Sequence, residues 1–378
     1  MLLAKRMASW IKLGEDWTLK KAMKKNLVII LKNPGTSCNI GCIYCAEERK
    51  KYVSVDKQIT LAQLRSIAKL SKEYSLNVLF HGGEPMLLNS AYYEAAMNIF
   101  EEYNEDVCFG IQTNATRIDD DWISFFKKNR RRLGISVSLD GPTSVNKFRL
   151  TKDKKETYEI VRNNVKKLGE NGIKTGMICT IVSSTLGKEK ELFQMLSDFD
   201  NLQFVKLNPC MDRNQDGTVP FWGISPGQYF DFVNNFFDIM IKNSAWENFY
   251  VEPIISVLKR LQGVTSSFCN YSDKKCTNFI SIYPDGTITS CDNFNLRDGF
   301  IGRLEDQMAF DNILYFQENE GLKTTYGNLM SKCVECAYYD LCKGGCIAAR
   351  KRYEDNDEYC NGIKRMIDHF REVYESIK

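Results

Sequence analysis

The sequence predicts an α/β chain, in which a parallel sheet of six strand–helix repeats curls into a partial barrel and a smaller, loop-rich domain follows. Three observations predict it. β-rich apolar runs alternate with amphipathic stretches through roughly the first 245 residues; the alternation then gives way to loops dense in Cys, Gly and Asp; and the 14 cysteines are spread unevenly along the chain. Three sit at 38, 42 and 45, three at 108, 179 and 210, and eight between 269 and 360.

The strands are expected at "LVIILKN" from 27, "LNVLFHG" from 76, "VCFGIQTN" from 107, "LGISVSLDG" from 133, "IKTGMICTIV" from 173 and "LQFVKLNPC" from 202. Their near-continuous apolar character is that of strands buried on both faces. Between them, "TLAQLRSIAKLSKEY" at 60–74 and "TYEIVRNNVKKLGENG" at 157–172 show helical spacing, the second closing on the Asn-Gly expected past a helix end. Right-handed crossovers then curl the sheet towards a barrel, and functional residues of such folds gather at the C-terminal strand ends. "SCNIGCIYC" (37–45) follows strand one there, "HGGEP" (81–85) strand two, "TNAT" strand three and "SLDGP" strand four. The expected organisation is an N-terminal extension (1–26), the barrel (27–245), a linker helix (246–265), the cysteine-rich domain (266–362) and a C-terminal helix (363–378).

A net charge of +3 is too mild for nucleic-acid binding, and the run Lys127, Lys128, Arg130, Arg131, Arg132 is expected to be a solvated helix end. No stretch reaches the roughly 18 apolar residues of a membrane span, so a cytoplasmic protein is expected. In that reducing compartment 14 thiols need a use other than disulfides. The C-terminal spacing is specific: Cys276 and Cys291 flank Gly286, then Cys333-x2-Cys336-x5-Cys342-x3-Cys346, with Cys360 after 13 more. Such a segment, poor in apolar residues, draws folding energy from metal ligation. By spacing alone, iron–sulfur clusters and four-cysteine zinc sites fit equally well. Cys108 and Cys179 are expected to be small buried apolar residues in strands, with Cys210 facing the barrel mouth.

Cys-x3-Cys-x-Tyr-Cys ahead of Gly-Gly-Glu-Pro, on strand ends of a six-repeat α/β chain, resembles the radical S-adenosylmethionine (SAM) superfamily, and the C-terminal pattern is similar to its SPASM extension. The resemblance spans about residues 27 to 362. It implies three 4Fe-4S clusters. The first, on Cys38, Cys42 and Cys45, keeps one iron open for SAM, whose reductive cleavage gives a 5′-deoxyadenosyl radical. The interleaved family pattern assigns Cys269, Cys276, Cys291 and Cys346 to one auxiliary cluster, and Cys333, Cys336, Cys342 and Cys360 to the other.

The same resemblance places SAM's amino group at Gly82, Gly83 and Glu84, its adenine near the Tyr44 segment, and its ribose or carboxylate at Asn114, Ser138 and Asp140. For these last three, turn capping is the plain alternative. Arg149 is expected to be solvated, with pairing to a carboxylate of SAM or peptide as the alternative, His81 to be a strand-end residue and His369 a surface one. Asp292, directly after Cys291, stands where anaerobic sulfatase maturases place their catalytic carboxylate; a loop cap is the alternative.

The implied activity is oxidative modification of a precursor peptide or protein side chain, with reductant supplied by a flavodoxin or ferredoxin. Two outcomes are distinguished: crosslink formation through hydrogen abstraction at Cβ (cyclophane or thioether), and, as the second reading, oxidation of Ser or Cys to formylglycine in sulfatase maturation. A non-catalytic iron–sulfur electron carrier is the reading from a different class, and an open iron argues against it. With only about 26 residues before strand one, peptide recognition falls to the barrel and C-terminal segment or to a separate recognition protein.

Overall fold

The computed structural model describes residues 24–47, 58–214, 216–244, 248–273, 276, 278–294, 296–305, 327, 329–353 and 357–376. The expected N-terminal extension lies almost wholly outside them. The six expected strands form as β1 (Lys25–Lys32), β2 (Tyr74–His81), β3 (Cys108–Thr113), β4 (Leu133–Ser138), β5 (Thr175–Ile181) and β6 (Leu202–Pro209), all parallel and hydrogen-bonded in chain order. The crossovers carry α1 (Leu61–Ala68), α2 (Ser90–Glu101), α3 (Asp120–Asn129), α4 (Tyr158–Glu170) and α5 (Glu189–Ser197). This is the partial barrel.

Local sequence sets the helix ends. Thr60 and Gln63 form a capping box at α1, Asn89 caps α2, and Asp119 caps α3, whose acidic first turn and basic last turn suit its dipole. The first helix is shorter than its pattern: α1 ends at Ala68, a 3₁₀ turn covers Lys69–Lys72, and Tyr74 already belongs to β2. The basic run after α3 is not simply solvated, because Arg132 pairs with Glu94 and Glu101 and Lys128 with Glu94. Cys179 is buried as expected, whereas Cys108, on the first position of β3, is exposed.

The larger difference lies after residue 245. After α6 (Pro226–Lys242), the expected linker-helix segment contributes a seventh parallel strand, β7 (Tyr250–Glu252), paired with β6, before its helix α7 (Ile254–Leu261). Further on, β8 (Phe279–Ile282) pairs parallel to β1, and β9 (Thr287–Thr289) and β10 (Phe300–Arg303) continue antiparallel. The cysteine-rich segment therefore extends the barrel's own sheet, and the alternation of apolar residues in strands of three or four is too short to show in sequence. The helix α8 (Ile347–Arg352) follows, and α9 (Glu358–Ser376) begins before the expected 363, so Cys360 is helical. α9 packs on α6 through Phe237–Phe370 and Phe230–Tyr359, with ring centroids 4.0 and 5.4 Å apart. No described helix is long and apolar enough to cross a membrane.

Candidate active site

The loop after β1 carries the three cysteines, and backbone hydrogen bonds fix it against the loop after β2. The N–H of Gly83 donates to Gly35 O and that of Glu84 to Ser37 O, both at 2.8 Å. A Cβ at Gly83 would stand 1.8 Å from Ser37 O, so only glycine lets the two loops touch. A cavity of about 240 Å³ opens at the strand ends, lined by Cys38, Cys42, Tyr44, Cys45, Gly82, Gly83, Asn114, Ser138 and Asp292 among others.

Glu84, expected at the ammonium of SAM, lies behind that wall. Its fully buried carboxylate accepts from Thr113 Oγ1 (2.6 Å), Asn114 N (2.7 Å) and Met86 N (2.8 Å), holding the ends of β2 and β3 together. Burial raises the pKa of this carboxyl despite the three donors. Asn114 caps a turn and also lines the cavity: its Oδ1 accepts from Thr116 N (3.0 Å), while its amide donates to Asn39 Oδ1 (2.9 Å) and lies 3.6 Å from Cys38 Sγ.

Arg149 is not solvated. It is buried, donates to Tyr44 Oη at 2.9 Å and faces Asp140 at 4.0 Å. Asp140, also buried, accepts from the Tyr44 hydroxyl and from Thr180 N. This triad clamps the Tyr44 segment between the second and third cysteines. Cys210 lines the same cavity, packing with Tyr44 and Val182. His369 pairs with Asp238 at 2.7 Å, far along α9.

The residue that sequence reasoning missed is Lys32, the last of β1, whose side chain is fully buried. Its ammonium has three protons and three acceptors: Asp292 Oδ1 at 2.5 Å, Glu47 Oε1 at 2.7 Å and His81 Nδ1 at 2.9 Å. An ammonium only donates, so His81 accepts through Nδ1 and carries its proton on Nε2. Glu47, His81 and Asp292 bring donor atoms within 4.8 Å of one another, as a cation site would. Lys32 already fills its centre. A lysine closing the apolar run "LVIILK" is the available signal; Glu47 offers none.

The eight C-terminal cysteines divide between two further cavities. Cys269, Cys276, Cys291 and Cys346 line one of about 210 Å³, which shares His81, Gln112, Asn208 and Asp292 with the first cavity. Cys333, Cys336, Cys342 and Cys360 line another of about 180 Å³. Left-handed turns at Lys343, Gly344 and Gly345 bring Cys342 and Cys346 to different cavities, and a Cβ at Gly345 would collide with the Tyr359 ring at 2.5 Å. Arg350, buried, donates to Cys333 Sγ at 3.3 Å. Burial pushes the Cys42 thiol up to about 12 and raises Cys38, Cys291 and Cys360 as well. Buried thiolates want a bound cation, and sets of three, four and four sulfurs around separate cavities suit one open and two closed four-iron clusters.

A parallel partial barrel with a three-cysteine loop at its mouth is the arrangement expected of the radical SAM class, and residues 32–196 match the radical SAM superfamily. Over nearly its whole length the chain is similar to anaerobic sulfatase-maturating enzymes. It is 28% identical over 370 residues to a cysteine-type anaerobic sulfatase-maturating enzyme of Clostridium novyi (strain NT), covering 93% of this chain and 95% of that one. A serine-type anaerobic sulfatase-maturating enzyme of Bacteroides thetaiotaomicron is 24% identical, over 94% of this chain and 92% of its own. Among solved structures, native anSMEcpe with bound AdoMet superposes with a TM-score of 0.77 at 22% identity, covering 93% of this chain and all of that one. These relatives favour the second of the two product readings over the crosslink.

Proposed function

We propose that this chain oxidises a Cys or Ser side chain of a protein substrate, a sulfatase, to formylglycine, and that it does so in the cytoplasm. Cys38, Cys42 and Cys45 hold the SAM-binding cluster; the four cysteines of the 210 Å³ cavity and the four of the 180 Å³ cavity hold the auxiliary ones. When bound, SAM and its cluster supply the radical that removes the Cβ hydrogen atom, and the auxiliary clusters take up the electron.

The observation that carries this reading is the position of Asp292. Its carboxylate stands on the wall shared by the SAM cavity and the first auxiliary cavity, so the substrate's thiol or hydroxyl proton can leave where its electron leaves; Ser then gives the aldehyde directly, while the thioaldehyde from Cys takes up water and releases hydrogen sulfide. Lys32 holds that carboxylate in place. Gly82, Gly83, Asn114 and Ser138 line the SAM side, and the Tyr44–Asp140–Arg149 clamp fixes the cluster loop beside them.

The test is anaerobic reaction of the reconstituted enzyme with a sulfatase-derived cysteine peptide. A hydrazine-reactive aldehyde is expected, and loss of two hydrogens without carbonyl reactivity would return the crosslink reading. Asp292→Asn is expected to keep 5′-deoxyadenosine formation while lowering aldehyde about 10²–10⁴-fold. Equal loss of both would remove Asp292 from the proton step.

A further inference from the structure

The cysteine loop shows one face to the cavity and another to solvent. Ile43, between Cys42 and Tyr44, is 39% exposed, and its N–H donates to Phe148 O at 3.0 Å. Gly41 N donates to Leu150 O at 2.8 Å, and Ile40 bridges Thr151, so the segment from 148 to 151 lies along the cysteine loop. Phe148 and Trp222 pack against the cluster of Tyr44, Val182 and Cys210, as does Cys42 itself. Outside them, Phe221 stacks edge-on against both rings, with centroids 5.9 Å from Phe148 and 4.8 Å from Trp222, and is 69% exposed. An aromatic layer thus covers a cluster ligand on its inner side and meets water on its outer side.

That patch has a basic border. The hairpin that Leu150 and Glu156 close carries Lys152, Lys154 and Lys155, all exposed, and Lys147 precedes Phe148. The acids on the same stretch are Asp153, engaged by Lys155 at 2.7 Å, and Glu156. Phe148, Phe221 and Trp222 do not line the cavity that Asp292 borders: Asp292 follows β9, whose neighbour β8 pairs with β1, whereas Phe221 and Trp222 follow β6 and bond to Ser183 after β5. A small apolar centre within a lysine border suits a weak encounter with an acidic protein, steered by charge.

We infer that the Ile43–Phe148–Phe221 face, with Lys147, Lys152, Lys154 and Lys155, docks an acidic, low-potential one-electron carrier protein. The carrier gives up one electron there, and the cluster on the other side of the aromatic layer gains it. The inference rests on the three-cysteine loop holding a cluster, and is independent of whether the product is an aldehyde or a crosslink.

The experiment compares two reductants on one enzyme. In Lys152→Glu/Lys154→Glu, and separately in Phe221→Ser, 5′-deoxyadenosine formation driven by reduced flavodoxin is expected to fall tenfold or more, while dithionite-driven formation stays at the parent rate. The flavodoxin-driven rate of the parent should also fall as salt rises. Independently of turnover, carbodiimide crosslinking of oxidised flavodoxin should map its carboxylates to the lysines between 147 and 155. Equal rates with both reductants across all variants, a parallel fall with both, or crosslinks mapping elsewhere would overturn the inference; so would a weakened peptide KM under dithionite, which would make the face the substrate's.

Discussion

The two cysteine regions bring their thiols around cavities by opposite routes. Cys38, Cys42 and Cys45 lie within eight residues on one loop, which the barrel holds by close backbone contact at Gly83 and by the Tyr44 clamp. The other eight span residues 269 to 360 and reach their cavities only because β8–β10 join the barrel sheet, α9 packs on α6, and left-handed turns separate Cys342 from Cys346. A local site can keep an open position because its scaffold is complete without it. In the proposed assignment the site assembled from distant segments closes its ligand sets, since ligation would be part of what holds those segments together.

The strongest way to break this contrast is to remove ligands from each region. Replacing Cys38, Cys42 and Cys45 together by Ala is expected to abolish SAM cleavage and to lower iron by about four of roughly twelve per chain, with the fold retained by circular dichroism. Cys333→Ala should instead lower soluble yield and thermal stability first. If the opening-loop variant unfolds while Cys333→Ala stays stable and fully iron-loaded, the contrast is reversed.

Lys32 sharpens the comparison, because it ties the loop after β1 to Asp292 of the C-terminal region. Lys32→Met removes the cation from two carboxylates, and loss of one partner of a buried ion pair costs roughly 3–5 kcal/mol. Urea unfolding should show that loss, and the ratio of aldehyde to 5′-deoxyadenosine should fall. Lys32→Arg keeps the charge and should restore stability more than that ratio, because a planar guanidinium cannot copy three converging N–H bonds. An unchanged ratio in both variants would make Lys32 structural only.

The smallest effect concerns the platform under the auxiliary loops. Burial pushes the Glu252 carboxyl, hydrogen-bonded to Ser256 at 2.9 Å, from 4.5 up to about 7. A carboxyl raised in the folded state binds more protons there than in the unfolded chain, so its contribution is full below about pH 4.5 and fades as pH rises through about 7. Glu252→Gln should flatten that decline and gain ~1–3 kcal/mol near pH 8. Denaturant midpoints across this range would show it, and parallel pH curves for both proteins would exclude it.

Much of the fold and site is legible in the amino-acid sequence. The six barrel strands, the three-cysteine loop, the Gly-Gly segment and both auxiliary cysteine sets follow from apolar runs and spacing, together with a resemblance those spacings carry. Strands β7 to β10 are not legible, being three or four residues long in loop-rich sequence. Arg149 and Lys32 escape a reading of the sequence because a charged residue there reads as solvated by default, and only the partners that surround it reverse that expectation.

The sequence by itself determined what the proposed chemistry needs: the cysteines, their spacing, and the strand ends that present them. Tertiary structure decided which cysteines share a cavity, that Glu84 braces the wall, and that Asp292 stands between two cavities under the hold of Lys32. Spacing along a chain fixes what neighbours within a loop can do together; what residues 32 and 292 do together depends on β1 and β8 pairing in one sheet.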